Sequence, residues 1–177
     1  MRHVRKVVYL ETSISWFDIP GYKEIIKALF EEMRDRDIHT YPDTLVEAVK
    51  SFIANPKLLS AVVTITFSKT KSLDSSAVMK TMDMSAKWFL KLNSNSMSIP
   101  ADFDWHFFIG GIEMLLQLDH GTATAKVIWL LYQILHTLPI KMRNILLAQI
   151  LKPENFYGYF FNWSYKVRHS FYYLFYF

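Results

Sequence analysis

Leu118-Asp-His-Gly-Thr-Ala-Thr-Ala-Lys-Val-Ile-Trp-Leu-Leu-Tyr-Gln-Ile-Leu-His-Thr137 is the stretch that decides the fold. Asp119–His120–Gly121 reads as a short turn. From Thr122 to Thr137 the only charged side chain is Lys126, and the pattern is helical and apolar on every side. A helix of that kind has no face to give to water, so it belongs inside a stack of other helices. Upstream, Asp102 or Asp104 caps a second apolar helix to about Leu118, carrying Trp105, Phe107, Phe108, Ile109, Ile112, Leu115 and Leu116. Gly110 and Gly111 in its middle each cost about 1 kcal/mol of helix stability, and close approach by a neighbouring helix is the expected compensation.

Working outward, proline punctuates the chain. Pro139 opens a helix to about Leu151, Pro153 breaks the chain again, and Asn162 or Ser164 caps a final helix running into Phe177. Towards the N-terminus, Asn93–Ala101 is polar, ends in Pro100, and forms the strongest break. Asp74 or Ser75 caps a helix to about Leu92, after a loop over Ser68–Leu73. Val62–Phe67 is β-branched and strand-like by propensity, but Leu58, Leu59, Val62 and Val63 favour helix by spacing. Asn55–Pro56 and Thr40–Pro42 each mark a helix start. Ile25, Ile26, Leu29, Phe30 and Met33 give an amphipathic helix from Pro20 to about Asp37. Residues 1–19 stay ambiguous, with Lys6–Leu10 a short strand or an irregular lead-in.

The expectation is an all-α fold of roughly six to eight helices. It is an irregular α-solenoid with HEAT-like antiparallel helix pairs, or a multi-helix bundle. Residues 1–177 read as a single helical domain, a segment of a larger protein, with the loop 93–101 separating two helical halves. The composition agrees: 51% hydrophobic and 16% aromatic residues are enough for a core, while 5 glycines and 6 prolines disfavour a turn-rich β fold.

Cysteine is absent, which excludes disulfides, thiolate zinc sites and a cysteine nucleophile and fits a reducing, cytoplasmic setting. Met1–Lys6 is basic, but the apolar run after it stops at Glu11, so no secretory signal is expected. No transmembrane helix is expected either: Val127–Leu135 is short, and Phe156–Phe177 carries Lys166, Arg168 and His169 at its middle. The net charge of +4 is uneven. Asp102, Asp104, Glu113 and Asp119 face Lys126 alone, whereas Lys141, Arg143, Lys152, Lys166 and Arg168 face only Glu154 further on.

No catalytic residue, metal ligand or cofactor is assigned. Asp104-x-His106 and Asp119–His120 are the nearest acid–histidine pairs, and neither places two ligands on one helix face. Gly121–Lys126 lacks the second glycine and the hydroxyl residue of a phosphate-binding loop. No Gly-x-Ser-x-Gly elbow occurs. Asn162–Trp163–Ser164 fits a helix cap better than a glycosylation site. One enzymatic alternative is kept. Val7-Val-Tyr-Leu-Glu-Thr-Ser13 resembles the first strand of the PIN-domain ribonucleases, with Glu11 where that family has aspartate. The resemblance implies metal-dependent RNA cleavage, with Glu47 and Asp119 as further acids. The rest of the chain lacks the parallel strands such a fold needs.

Phe171, Tyr172, Phe175, Tyr176 and Phe177 form an apolar end without a polar outer face, and are the candidate interface. A protein partner, or the rest of a longer chain of its own, is expected to cover them. Tyr157, Tyr159, Trp163, Tyr165, Lys166, Arg168 and His169 mix rings and cations, but aromatics this dense on helices are core or interface, so nucleic acid is disfavoured. A basic surface for nucleic acid or anionic lipid remains the third reading.

Asp102-Phe-Asp-Trp-His-Phe-Phe-Ile-Gly-Gly-Ile112, Leu118–Tyr132 and Phe160-Phe-Asn-Trp-Ser-Tyr-Lys-Val-Arg168 carry a further likeness, continued by Phe171 and Leu174. Here the chain resembles a family of eukaryotic domains of unknown function found in large cytoplasmic proteins of fungi, amoebae and other protists. Asn162 stands where that family frequently has histidine. The resemblance implies an α-helical domain in a longer protein and supplies no activity. Within it Trp129 and Trp163 would be core anchors, Arg168 would pair with a carboxylate or cap carbonyls, and Asp119–His120 would fix a helix turn. The function expected is therefore a non-catalytic protein–protein interaction or scaffold module.

Overall fold

Proline and short polar side chains set the helix boundaries. The structure, a computed structural model, describes residues 15–118 and 120–176. The segment 1–14, with Glu11 and the strand-like Val7–Leu10, lies outside the described residues, as do Asp119 and Phe177. Among the described residues there are nine α-helices and no strand, so the fold is all-α.

Helix α1 (Tyr22–Asp35) follows Gly21, whose φ of 79° lies in the left-handed region that glycine adopts without a Cβ penalty. Its C-terminal carbonyls are covered from outside: the Tyr41 hydroxyl donates to Met33 O and the Lys69 ammonium to Arg34 O. Burial pushes the Tyr41 phenol up to about 12. Helix α2 (Asp43–Phe52) starts after Pro42, as expected. Thr40 does not cap it. It ends the 3₁₀ turn Ile38–Thr40, and its hydroxyl donates back to Asp37 O at 2.8 Å. Asn55 is buried and bridges elements, its oxygen accepting from Lys57 N at 3.3 Å and its amide donating to the Tyr22 hydroxyl at 3.0 Å.

Helix α3 (Leu58–Lys69) includes the whole β-branched run, and Thr66 resolves its polarity by donating to Val62 O at 2.8 Å. Tertiary burial thus outweighs β propensity. In α4 (Ser75–Ser94) the Asp74 side chain accepts from Ser76 N and Ala77 N, and in α5 (Trp105–Leu116) Asp104 accepts from Phe107 N at 2.9 Å. Helix α6 (Gly121–Ile134) runs on into a 3₁₀ turn at Leu135–Thr137. Helix α7 (Ile140–Ile150) follows Pro139. Pro153 does more than break the chain. It sits in the first turn of α8 (Pro153–Phe160), where a missing amide hydrogen costs nothing, and α9 (Tyr165–Phe175) closes the order.

The apolar helix α6 is the hub. It packs most extensively against α9 and α4, and also against α5. Val127, Ile128, Leu130, Leu131 and Ile134 are buried from it, meeting Trp88 and Phe89 of α4 and Val167 and Phe171 of α9 in one cluster. That cluster runs from Met33 to Leu174, across the connection after α4. Helices α1 and α2 lie at the edge, against α3 and α4 respectively. The strongest α6 contacts therefore skip one and two elements along the chain, the geometry of a bundle gathered on a central helix.

The double glycine divides. A Cβ on Gly111 would stand 2.8 Å from Phe67 Cδ1, so α3 does approach there. A Cβ on Gly110 would meet nothing within 4 Å, and no close approach explains that glycine.

Candidate interface at the C-terminal helices

Helices α8 and α9 are short, and their aromatic spacing splits each ring set between two sides. On α8, Tyr159 is buried, and burial raises its phenol. Tyr157 and Phe161 stack one turn apart on the outer side, rings nearly parallel at 6.2 Å, and both are exposed. On α9, Val167, Phe171 and Leu174 turn inward, while Tyr165, Tyr172, Tyr173, Phe175 and Tyr176 are exposed. Phe156 links the two helices, stacked with Phe160 at 5.4 Å and edge-on to Phe171 at 5.4 Å and Phe175 at 5.6 Å.

Two of the sequence expectations are corrected here. Phe171 is 0% exposed and belongs to the core, not to an interface. Trp163 is 80% exposed, so it anchors nothing. Its exposure has a local cause. A Cβ on Gly121 would lie 2.9 Å from Ser164 Cβ and 3.6 Å from Trp163 Cζ2, so the N-terminus of α6 is pressed against the chain at Ser164 and meets only the edge of the indole. Trp129 is half-buried, packed at 5.1 Å on Tyr132 and edge-on to Tyr173 at 5.7 Å.

The turn between α8 and α9 is held by hydrogen bonds. Asn162 Oδ1 accepts from Ser164 N at 3.0 Å, and its amide donates to Gly158 O at 3.1 Å. The Arg168 guanidinium reaches back to donate to Asn162 O and Trp163 O, the latter at 3.1 Å. Arg168 thus caps carbonyls and has no carboxylate partner among the described residues. His120 caps α6, its Nδ1 accepting from Ala123 N at 3.3 Å. Sequence reasoning had these residues as structural but lacked the contacts; the Asn162 amide was the signal for the turn.

The chemistry sought elsewhere does not assemble. Among the described residues no three histidine or acidic side chains come together as a metal site. Glu47 is exposed, and its hydrogen bond from Lys50 at 2.9 Å holds its carboxyl below the usual range. Glu11 and Asp119 lie outside the described residues, and no strand that could build the parallel sheet of a PIN domain occurs among the described residues. No helix among the described residues is long and apolar enough to cross a membrane.

Residues 59–177 match the family described as "Protein of unknown function (DUF1765)". The chain belongs to that family. The DUF1765 match takes in α3 through α9, and so includes the α6 hub, the Arg168 turn and the aromatic face, while α1 and α2 lie outside it. No curated protein and no solved structure matches the chain.

Proposed function

We propose that this DUF1765 domain is a non-catalytic protein-binding module, part of a larger cytoplasmic assembly, that docks its partner on the outer side of α8 and α9. One observation carries the reading. Tyr157, Phe161, Trp163, Tyr165 and Tyr176 are all more than half exposed, and Trp163 and Tyr176 reach 80% and 83%. Single exposed apolar residues are ordinary, but large aromatics gathered along two adjoining helices mark an interaction surface, because each buries much area at little entropic cost. The hydrogen-bonded turn beneath them supports the same reading, since a preorganised anchor loses less on binding.

The test is site-specific photo-crosslinking in the cells that make the protein. A benzophenone amino acid replaces Trp163 in one variant and Lys27, on the exposed face of α1, in another. Discrete protein adducts at position 163 and none at 27 are expected. Equal labelling at both positions, or adducts to lipid or RNA alone, would refute the reading.

A further inference from the structure

Helices α6 and α9 do not close along their whole seam. Between them, and bounded by Met79 of α4, runs a groove of about 380 Å³. On α6 it follows Thr122, Ala125 and Trp129, a single stripe at helical spacing about 10 Å long. On α9 it follows Tyr165 and His169, whose rings are 5.4 Å apart. Tyr173 continues that row 4.9 Å beyond His169 and stands edge-on to Trp129, closing the far end.

The floor is apolar, and the rim carries two lysines, one of them paired. Lys126 is tied to Asp83 at 2.5 Å, but Lys166 is exposed and has no salt-bridge partner among the described residues. No carboxylate lines the groove. An occupant must then bring apolar side chains at helical spacing together with negative charge. A bilayer is flat and does not enter a seam between helices, and two lysines, one already paired, are too few to follow a phosphate backbone.

We infer, resting on the protein-binding reading above, that the α4–α6–α9 groove receives an acidic amphipathic helix of the partner. Its apolar residues lie over Met79, Ala125 and Trp129, and a carboxylate meets Lys166.

The experiment uses fluorescence anisotropy on the 177-residue chain. The probe is a fluorescein-labelled synthetic helix of about 18 residues, with leucines at helical spacing on one face and glutamates flanking them. A second peptide has every glutamate replaced by glutamine. Saturable binding of the acidic peptide is expected, weakened about tenfold by Lys166→Glu, on the order of 1.4 kcal/mol. Lys27→Glu, the charge-matched control on α1, should leave it unchanged, and circular dichroism should show both variants folded. The glutamine peptide should bind at least about threefold more weakly. Absent binding, equal loss in both variants, or equal affinity for both peptides would overturn the inference. Lys166-dependent capture of phosphatidylserine vesicles without peptide binding would overturn it in favour of a lipid surface. If the peptide fails while crosslinking at Trp163 persists, only the groove assignment falls. If both fail, the protein-binding reading falls with it.

Discussion

Two neighbouring glycines of α5 should respond oppositely to the same added methyl group. Alanine is favoured over glycine in a helix interior by about 1 kcal/mol, because the glycine chain loses more freedom on folding. At the exposed Gly110 nothing lies within 4 Å of the new Cβ, so Gly110→Ala should keep the whole gain. At Gly111 the Cβ would lie 2.8 Å from Phe67 Cδ1 and 3.3 Å from Cε1, well inside ordinary van der Waals contact. The Phe67 ring cannot simply swing away. It is almost wholly buried and packs at 5.6 Å against Phe108, which is itself fully buried. Overpacking of this kind costs about 1–3 kcal/mol, which cancels or exceeds the propensity gain. Gly111→Ala should therefore range from neutral to about 2 kcal/mol destabilising. With about 2–4 °C per kcal/mol for a chain of this size, Gly110→Ala raises Tm by a few degrees while Gly111→Ala leaves it unchanged or lowers it. Thermal unfolding by circular dichroism, with calorimetry to test two-state behaviour, reads both. Equal increases in Tm for the two variants would show that α3 does not press on Gly111, and the α3–α5 packing would be wrong.

Three more outcomes follow from the same contacts. His39 at 2.7 Å, then the Ala77 amide and Ser76, hold the Asp74 carboxyl well below the usual carboxylate range. A depressed carboxyl adds stability above its unfolded pKa and loses it as pH falls through the folded one. Asp74→Asn should thus lower Tm at pH 7, and the gap should narrow as the medium is made strongly acidic; a gap independent of pH would contradict the pairing. Tyr41→Phe leaves Met33 O without its buried donor and should cost about 1–3 kcal/mol in urea unfolding. Because the raised Tyr41 phenol stabilises the fold below its unfolded pKa and ceases to as pH climbs towards 12, the variant should also lose less stability than the parent between pH 10 and 12. Arg168→Ala removes two bonds to the α8–α9 turn and should lower Tm by about 2–4 °C, roughly 1 kcal/mol, while Trp163→Ala should leave Tm within about a degree. The reverse order would return Trp163 to the core.

The last pair bears on what the C-terminal helices are for. Arg168 and Asn162 organise a turn whose most conspicuous side chain faces outward. On the protein-binding reading proposed above, Trp163 would serve as an anchor that the hydrogen-bonded turn holds in place beforehand.

Sequence by itself determined the fold class and most element starts. The all-round apolarity of Thr122–Thr137 required an interior helix, and Asp74, Asp104, Pro42 and Pro139 announced helix N-termini through local chemistry that acts within one turn. Such signals need no partner from elsewhere in the chain, which is why they are legible. Helix α8 was missed because Pro153 carries the same mark whether a helix ends before it or begins at it. Only the tertiary structure decided that α6 gathers α4, α5 and α9 around itself, and which rings of Phe171–Tyr176 face inward. In Phe171-Tyr-Tyr-Leu-Phe-Tyr176 every residue is apolar enough to be buried, so periodicity has no contrast to read. The choice was made by packing: Phe171 joins the core cluster against Phe156 and Tyr159, Gly121 lets α6 close on Ser164, and the seam left open beside Trp129 is the groove.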